Sequence, residues 1–521
     1  MKFFARLFSD QGLTKKAYLN AVTVVLDYGA ALVVGFVLTP LVVAGLGNYF
    51  YGMWQILNRL IGYITPVSGR PGYALKAKLA NVQISSDYVQ KRRDVSSTII
   101  IWILFLPLLV IIGGTVSWFV PLWVHAPVAY FWIVRCVAAL LVVNLIVDTL
   151  SSIPQAALQG ENLGYKRMGM SVMLVFLGGG LTWLALYLKM GIIGIASAAV
   201  ITTLVTGLFY AWVVRSYAPW FGVEKPYWAD IKQMLGLSWW FMGWNLVTSL
   251  LLASDVVVLG LLNSVDSVAN YTLTKYVPET LIGVIVIVIF GIMPGLGGII
   301  GSGDFERAIR LRSEINVYIW LVATTLGTAS LIWNRVFINL WVGNEYYSGT
   351  LPNLLMIIAA MQLAFIRSDG NIIDLTLKLS QKVILGFVAV SISIGAASIL
   401  VGFFHLGIAG LCLGIMGGRL VISIGYPLLI NRFLNIRAAR QSTAMLRPLL
   451  VTILLLGFAT AWDKFAFFTV NRDFAGWVFF LTTASVTGIL IFLILFYSGL
   501  SQLQRQVLIN RVKTALVVPG L

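Results

Sequence analysis

Apolar stretches of about twenty residues or more recur from one end of this chain to the other, and no other feature constrains the fold as much. The hydrocarbon core of a bilayer is ~30 Å thick, which an α-helix crosses in ~20 residues. Every backbone N–H and C=O inside that core must be satisfied within the segment, so runs of this length fold as spanning helices. Fourteen spans are read, over 17–45, 51–80, 95–117, 130–157, 168–188, 195–214, 233–262, 270–298, 314–339, 352–377, 383–403, 408–431, 448–462 and 475–500. Composition agrees, with 59% of the 521 residues hydrophobic and 11% charged, against ~45–50% and ~25% in soluble domains. The expected fold class is an all-α polytopic membrane protein.

Charge placement orients these spans. The loops 1–16, 85–94, 159–167, 215–232, 301–312, 378–382, 432–447 and 501–521 carry 24 Lys and Arg residues. The intervening loops carry three, Lys189, Lys464 and Arg472, and nine more lie within or at the ends of spans. Basic residues accumulate on the cytoplasmic side, so both termini are expected there and the span count is even. The net charge of +17 then reflects loop topology, and no nucleic-acid partner is implied. Aromatic residues gather at span ends, as Tyr49, Tyr51 and Trp54 do, and as Trp341, Tyr346 and Tyr347 do, in the manner of an interfacial belt.

Soluble chemistry is poorly represented. Cys136 and Cys412 lie inside apolar runs, and His125 and His405 lie in short loops, so no metal constellation is read. There is no GxxxxGK[ST], no HExxH and no GxSxG. No enzyme activity and no resident cofactor are expected.

Three pairs of segments match at one offset. Leu46-Gly47-Asn48 through Tyr51-Gly52 pairs with Leu262-Asn263 through Asn270-Tyr271, and Gly191-Ile-Ile-Gly-Ile pairs with Gly407-Ile-Ala-Gly-Leu. The polar stretch Gln155–Lys166 pairs more weakly with Asn371–Lys382. The offset, near 216 residues, covers six spans, so the halves run parallel. The expected domains are a six-helix bundle over 1–215, a second over 233–432, an extra helix pair over 448–500 and a basic tail over 501–521. Span 51–80 holds Pro66, Gly69, Pro71 and Gly72, and its counterpart 270–298 holds Pro278, Gly291, Pro294 and Gly295. Both are expected to bend. The Gly178–Gly180 run and Gly410-x-x-x-Gly414 are read as close helix contacts.

Ionisable residues within spans are costly unless they face protein or water. The basic candidates for a hydrated, cationic cavity are Arg59, Arg70, Lys275, Arg367 and Arg419; Arg binds phosphate through a fixed fork of donors, and Lys as a point charge. The acidic candidates for ion coupling or gating are Asp27, Asp255, Glu279, Asp369 and Asp374. Structural pairing competes with each role, as for Lys275 with Glu279 at i,i+4. Snorkelling to the cytoplasmic surface is the competing reading for Arg70, and it is the reading for Lys76 and Lys78. Arg419 has no acidic residue within a turn.

Thr39-Pro40 through Leu46-Gly47, Tyr51-Gly52 and Trp54 resemble the first periplasmic turn of Wzx-type polysaccharide exporters, lipid-linked oligosaccharide flippases of the multidrug/oligosaccharidyl-lipid/polysaccharide (MOP) superfamily. Pro154, Gly160 and Asn162, and the repeat itself, are similar too. The resemblance departs at Ser68-Gly69-Arg70-Pro71-Gly72, where the family often has an acidic residue before the glycine. It implies two six-helix bundles in a V that open alternately to each side. It also implies a polyprenyl-diphosphate oligosaccharide as substrate, membrane lipid and other polysaccharide-assembly proteins as partners, and the bacterial inner membrane as location. Fourteen spans are similar to the lipid II flippase branch, in which the last two helices hold the lipid tail. With no nucleotide motif on the chain, direction would come from an ion gradient, of protons or sodium, or from consumption of product. A cation-coupled multidrug exporter of the same fold is the rival reading.

Overall fold

The computed structural model describes residues 13–69, 71–81, 86–161, 163–167, 169–301, 303–375, 379–434, 442–465 and 470–517. Every regular element among them is helical. The chain divides into two compact units, Met1–Asp266 and Ser267–Leu521.

The first unit opens with α1, Leu13–Ile64, whose helical geometry breaks once, at Gly47 (φ 74°, ψ 170°). That backbone region is essentially restricted to glycine, and it falls at the turn expected between the first two spans. Past Ile64 the chain tightens into a 3₁₀ turn, Thr65–Ser68, which ends on left-handed Gly69 (φ 76°). Helix α2 then runs over Pro71–Asn81. The proline- and glycine-rich span is therefore broken, as its residues dictate: Pro66 removes a donor and Gly69 takes the positive φ. The unit continues with α3 (Tyr88–Trp123), α4 (Phe131–Gly160), α5 (Met170–Tyr187), α6 (Gly191–Tyr217) and α7 (Trp228–Leu262).

Helix α4 is central to this unit and packs on α2, α3 and α6. Leu75 and Leu79 of α2, Ile101 of α3, Ala157 and Leu158 of α4, and Val214 of α6 meet there, fully or almost fully buried. Helix α7, which the sequence reading counts with the second bundle, packs on α1, α2 and α3. Its N-terminus is fixed by Asp230, which accepts from the Tyr227 backbone N–H at 3.1 Å and from Gln90 at 3.0 Å.

The second unit holds α8 (Val265–Gly301), α9 (Phe305–Trp341), α10 (Thr350–Leu375), α11 (Leu379–Ser398), α12 (Gly407–Phe433), α13 (Ser442–Phe465), α14 (Phe474–Ile494) and α15 (Gln502–Val517). Helix α8 is assigned as one continuous helix through Pro278 and Pro294. Helix α9 is central here: Leu331, Trp333 and Leu340 pack with Ile357 of α10, Leu456 and Ala459 of α13, and Ile491 of α14. The extra helix pair is thus joined to this unit through α9. Helices α11 and α12 meet along Gly414 and Gly418, where an added Cβ would lie 2.4 Å from Ala397 backbone and 2.3 Å from the Ser393 backbone nitrogen.

Twelve helices among the described residues are long and apolar enough to cross a membrane. One of them, Val25–Ser68, is 44 residues long, or ~66 Å at 1.5 Å per residue, about twice the core thickness. The Gly47 break lies near its middle. Apolar side chains far from any packing partner, such as Met173, Leu208 and Leu454, are about 70% exposed, which suits a lipid-facing surface. The chain is a multi-pass membrane protein.

Candidate functional site: charged residues within the spans

In the first unit, Arg59 and Tyr63 stand one turn apart on α1, and Tyr63 lies within electrostatic reach of both Arg59 and Asp255 of α7. Asp255 is buried and accepts from the Val256 backbone N–H at 2.8 Å. Tyr63 Oη is buried without a hydrogen-bond partner. Arg59 is half-buried and makes no hydrogen bond or ion pair among the described residues. Asp27, also half-buried, accepts from Ser171 Oγ of α5 at 2.5 Å. Arg70 and Asn162 lie outside the described residues.

The loop-side end of α3 carries a network that the sequence reading did not foresee. Lys78 reaches Asp94 at 2.6 Å instead of snorkelling, and Asp94 is fully buried. Lys91, also buried, pairs with Glu161 at 2.8 Å. The single Gln90 amide donates to both Asp94 and Asp230. Burial presses the Asp230 carboxyl upward, but the hydrogen bonds from Gln90 and the Tyr227 N–H, with Lys78 and Arg93 nearby, outweigh it and hold Asp230 below its ordinary value.

In the second unit most acids have partners. Asp369 accepts from Arg312 Nη2 at 3.0 Å and Nε at 3.3 Å, and both residues are buried. The remaining Arg312 nitrogen, Nη1, donates to Asn431 of α12 at 3.0 Å. Asp374 pairs with buried Lys382 at 2.7 Å. Lys275 and Glu279 form the expected i,i+4 pair, loosely, at 3.7 Å, with the Glu279 side chain 53% exposed. Arg367, half-buried, makes no hydrogen bond or ion pair among the described residues. Its charge is within repelling distance of Arg419, which is 6% exposed, and of Lys382. Gln362 of α10 ties the same helices by donating to the Met416 carbonyl and to Ser423 Oγ of α12.

The structure therefore puts Arg367 within electrostatic reach of Arg419, links Asp374 to Lys382 and Asp369 to Arg312, and puts Tyr63 within electrostatic reach of both Arg59 and Asp255. Sequence reasoning missed Arg312 and Lys382 because both were counted as loop residues. A readable signal existed. Ala308, Arg312, Ile315 and Ile319 form one buried stripe, as do Lys382, Gly386, Ala389 and Ser393, so each cation sits on the apolar face of its helix. No group of three or more metal-ligating side chains occurs among the described residues. Arg367 on α10 and Arg419 on α12 lie within electrostatic reach of each other, an arrangement to which an anion would be attracted, since it would offset their repulsion and supply acceptors in place of lost water.

No family model and no curated protein matches this chain. Solved structures do. An inward-facing multidrug resistance MATE family transporter of the MOP superfamily aligns with a TM-score of 0.64 at 16% identity, covering 80% of this chain and 96% of that one. The lipid II flippase MurJ, in an inward closed conformation, aligns with a TM-score of 0.65 at 12% identity, over 92% of this chain and 97% of MurJ. The chain has the fold of MOP-superfamily transporters. A MOP transporter from Pyrococcus furiosus, described as having a binding pocket of reversed polarity, aligns with a TM-score of 0.53 at 14% identity, over 81% of this chain and 96% of that one. These neighbours are transporters and flippases, not enzymes.

Proposed function

We propose that this protein is a flippase that carries a polyprenyl-diphosphate-linked oligosaccharide across the bacterial inner membrane by alternating access. One observation carries the reading. Three of the acidic candidates are held by other protein groups, Asp369 by Arg312, Asp374 by Lys382 and Asp27 by Ser171, whereas Arg59 and Arg367 make no hydrogen bond or ion pair among the described residues. A span interior left cationic suits an anionic cargo and opposes a cationic drug. In the second unit the diphosphate head would sit at Arg367 and Arg419 while the tail stays in lipid; in the first unit Arg59 is the candidate anion contact. Lys275 would contribute once Glu279 yields it. Asp27 and Asp255 are the proposed coupling groups for a proton or sodium ion.

The layout proposed is fourteen spans, with two parallel six-helix repeats, a C-terminal pair and both termini cytoplasmic. Left-handed turns support the repeat: Lys189 (φ 56°) precedes α6 and Gly191 (φ 60°) opens it, while His405 precedes α12 and Gly407 opens it (both φ 52°), 216 residues later. Alignment with the lipid II flippase over 92% of this chain, against 80% for the multidrug transporter, supports the lipid-linked reading, in which the C-terminal pair would hold the lipid tail.

The test is transport of a labelled polyprenyl-diphosphate oligosaccharide in proteoliposomes, followed by its accessibility to an impermeant reagent. Wild type should expose the cargo on the far leaflet, and Arg367→Gln with Arg419→Gln should abolish exposure at normal protein content. Undiminished transport in that double variant would refute the assignment.

A further inference from the structure

The C-terminal end of α13 holds a buried carboxylate for which the transport reading has no use. Asp463 is 3% exposed. Its Oδ2 accepts from Tyr347 Oη at 2.6 Å, and its Oδ1 is buried with no hydrogen-bond partner. No ion pair reaches it among the described residues. Arg335 lies 6.0 Å from the centroid of the Tyr347 ring, and Lys464 is exposed beside the Phe465 ring. Buried charges in proteins are paired or coordinate metal ions. Asp463 is not paired.

Through Tyr347, Asp463 joins a larger polar network. Tyr347 also engages the side chains of Asn353 and Thr350. Asn353 Oδ1 accepts from Asn334 Nδ2 at 2.8 Å, and Asn334 Nδ2 also donates to the Thr274 carbonyl at 2.9 Å. Asn334 Oδ1, in a residue 1% exposed, is a second buried acceptor with no donor. Four elements of one unit, α8, α9, α10 and α13, with the segment before α10, thus contribute to a polar network in which Asp463 is the carboxylate and Asn353 Nδ2 is a buried donor with no partner. Burial, first, and then the Asp463 charge push the Tyr347 phenol well above its ordinary value, so its hydroxyl stays a donor to Oδ2 and leaves Oδ1 open.

We propose that Asp463 Oδ1 binds a monovalent metal cation, sodium or one like it, at the junction of α13 with α9 and α10. Hard cations take oxygen ligands, and one carboxylate with neutral oxygens around it matches a single positive charge. The carboxylate belongs to the extra helix pair, and the site uses none of Arg59, Arg367 and Arg419, so it does not depend on what cargo is carried. A bound ion would fasten α13 to the α9–α10 connection.

The experiment is a sodium titration of the purified full chain in detergent at constant chloride and ionic strength, with choline as the replacement cation and thermal unfolding as the readout. Wild type should gain stability saturably with sodium. Asp463→Asn should lose that dependence. Tyr347→Phe, which keeps the carboxylate and removes only the bond that orients it, should raise the half-saturating sodium concentration by about tenfold or more. If Asp463→Asn does not fold, the Tyr347→Phe shift decides. A wild-type melting curve indifferent to sodium, lithium and potassium, or a sodium dependence unchanged in both variants, would overturn the proposal.

Discussion

Removing the negative charge from Asp369 while keeping its shape is a severe test of the second unit. The Asp369→Asn amide can still accept from Arg312, but the guanidinium, 5% exposed, then has no counter-charge. Arg312 makes three hydrogen bonds, at 3.0 and 3.3 Å to one Asp369 oxygen and 3.0 Å to Asn431, so it is held in place and cannot swing to water without breaking all of them. Stranding one member of a buried pair costs about 3–5 kcal/mol. Replacing both members with apolar residues of similar volume, Arg312→Met with Asp369→Leu, removes charge and desolvation penalty together, and is expected to be within ~1–2 kcal/mol of wild type or more stable. Denaturant unfolding in mixed micelles, run as a double-mutant cycle, measures this. The double variant should be more stable than Asp369→Asn by about 2 kcal/mol or more. If the single variant costs under ~1 kcal/mol, a surface-like value, the pair is solvated and the burial argument fails.

Other outcomes follow from the same geometry. Gly418→Leu should destabilise by about 1–3 kcal/mol or prevent folding, because its Cβ would meet the Ser393 backbone, whereas Gly457→Ala, with nothing within 4 Å, should be neutral or stabilising by up to ~1 kcal/mol; melting temperatures separate the two. Asp230 has its folded-state value depressed, so the stability it adds is present above the unfolded value of ~3.9 and lost as pH falls through the folded one. Asp230→Asn should therefore melt below wild type at pH 7 and converge with it under acid conditions. Gly47→Val should cost ~1–3 kcal/mol, since its φ of 74° with ψ of 170° is strained for any side chain, and this too is read from melting.

Much of the architecture was legible because two periodicities act locally. Apolar runs of membrane length gave the helices, and prolines and glycines gave the break at Pro66–Gly69 and the α11–α12 contact at Gly414. The helix starts were less legible. Helix α9 begins at Phe305, nine residues ahead of the expected span, because polar residues extend a helix beyond the lipid without any apolar signal. Charge pairing was legible only at i,i+4, as for Lys275 with Glu279. The partner of Asp369 lies 57 residues away and that of Lys91 lies 70 residues away, distances at which only the fold decides proximity. Arg419 has no acid within a turn in sequence, and in the structure another cation, Arg367, lies within electrostatic reach of it.

The central claim is that the span interior takes an anionic, lipid-linked cargo. Ligand-dependent thermal stabilisation of the purified protein tests it most directly, with polyprenyl-diphosphate oligosaccharide, bare polyprenyl phosphate and cationic drugs compared side by side. A ligand at 100 times its dissociation constant stabilises by ~2.7 kcal/mol, enough to shift a melting curve. The account predicts a shift with the diphosphate oligosaccharide that disappears in Arg367→Gln with Arg419→Gln. Stabilisation by cationic drugs alone, unchanged in that variant, would contradict it.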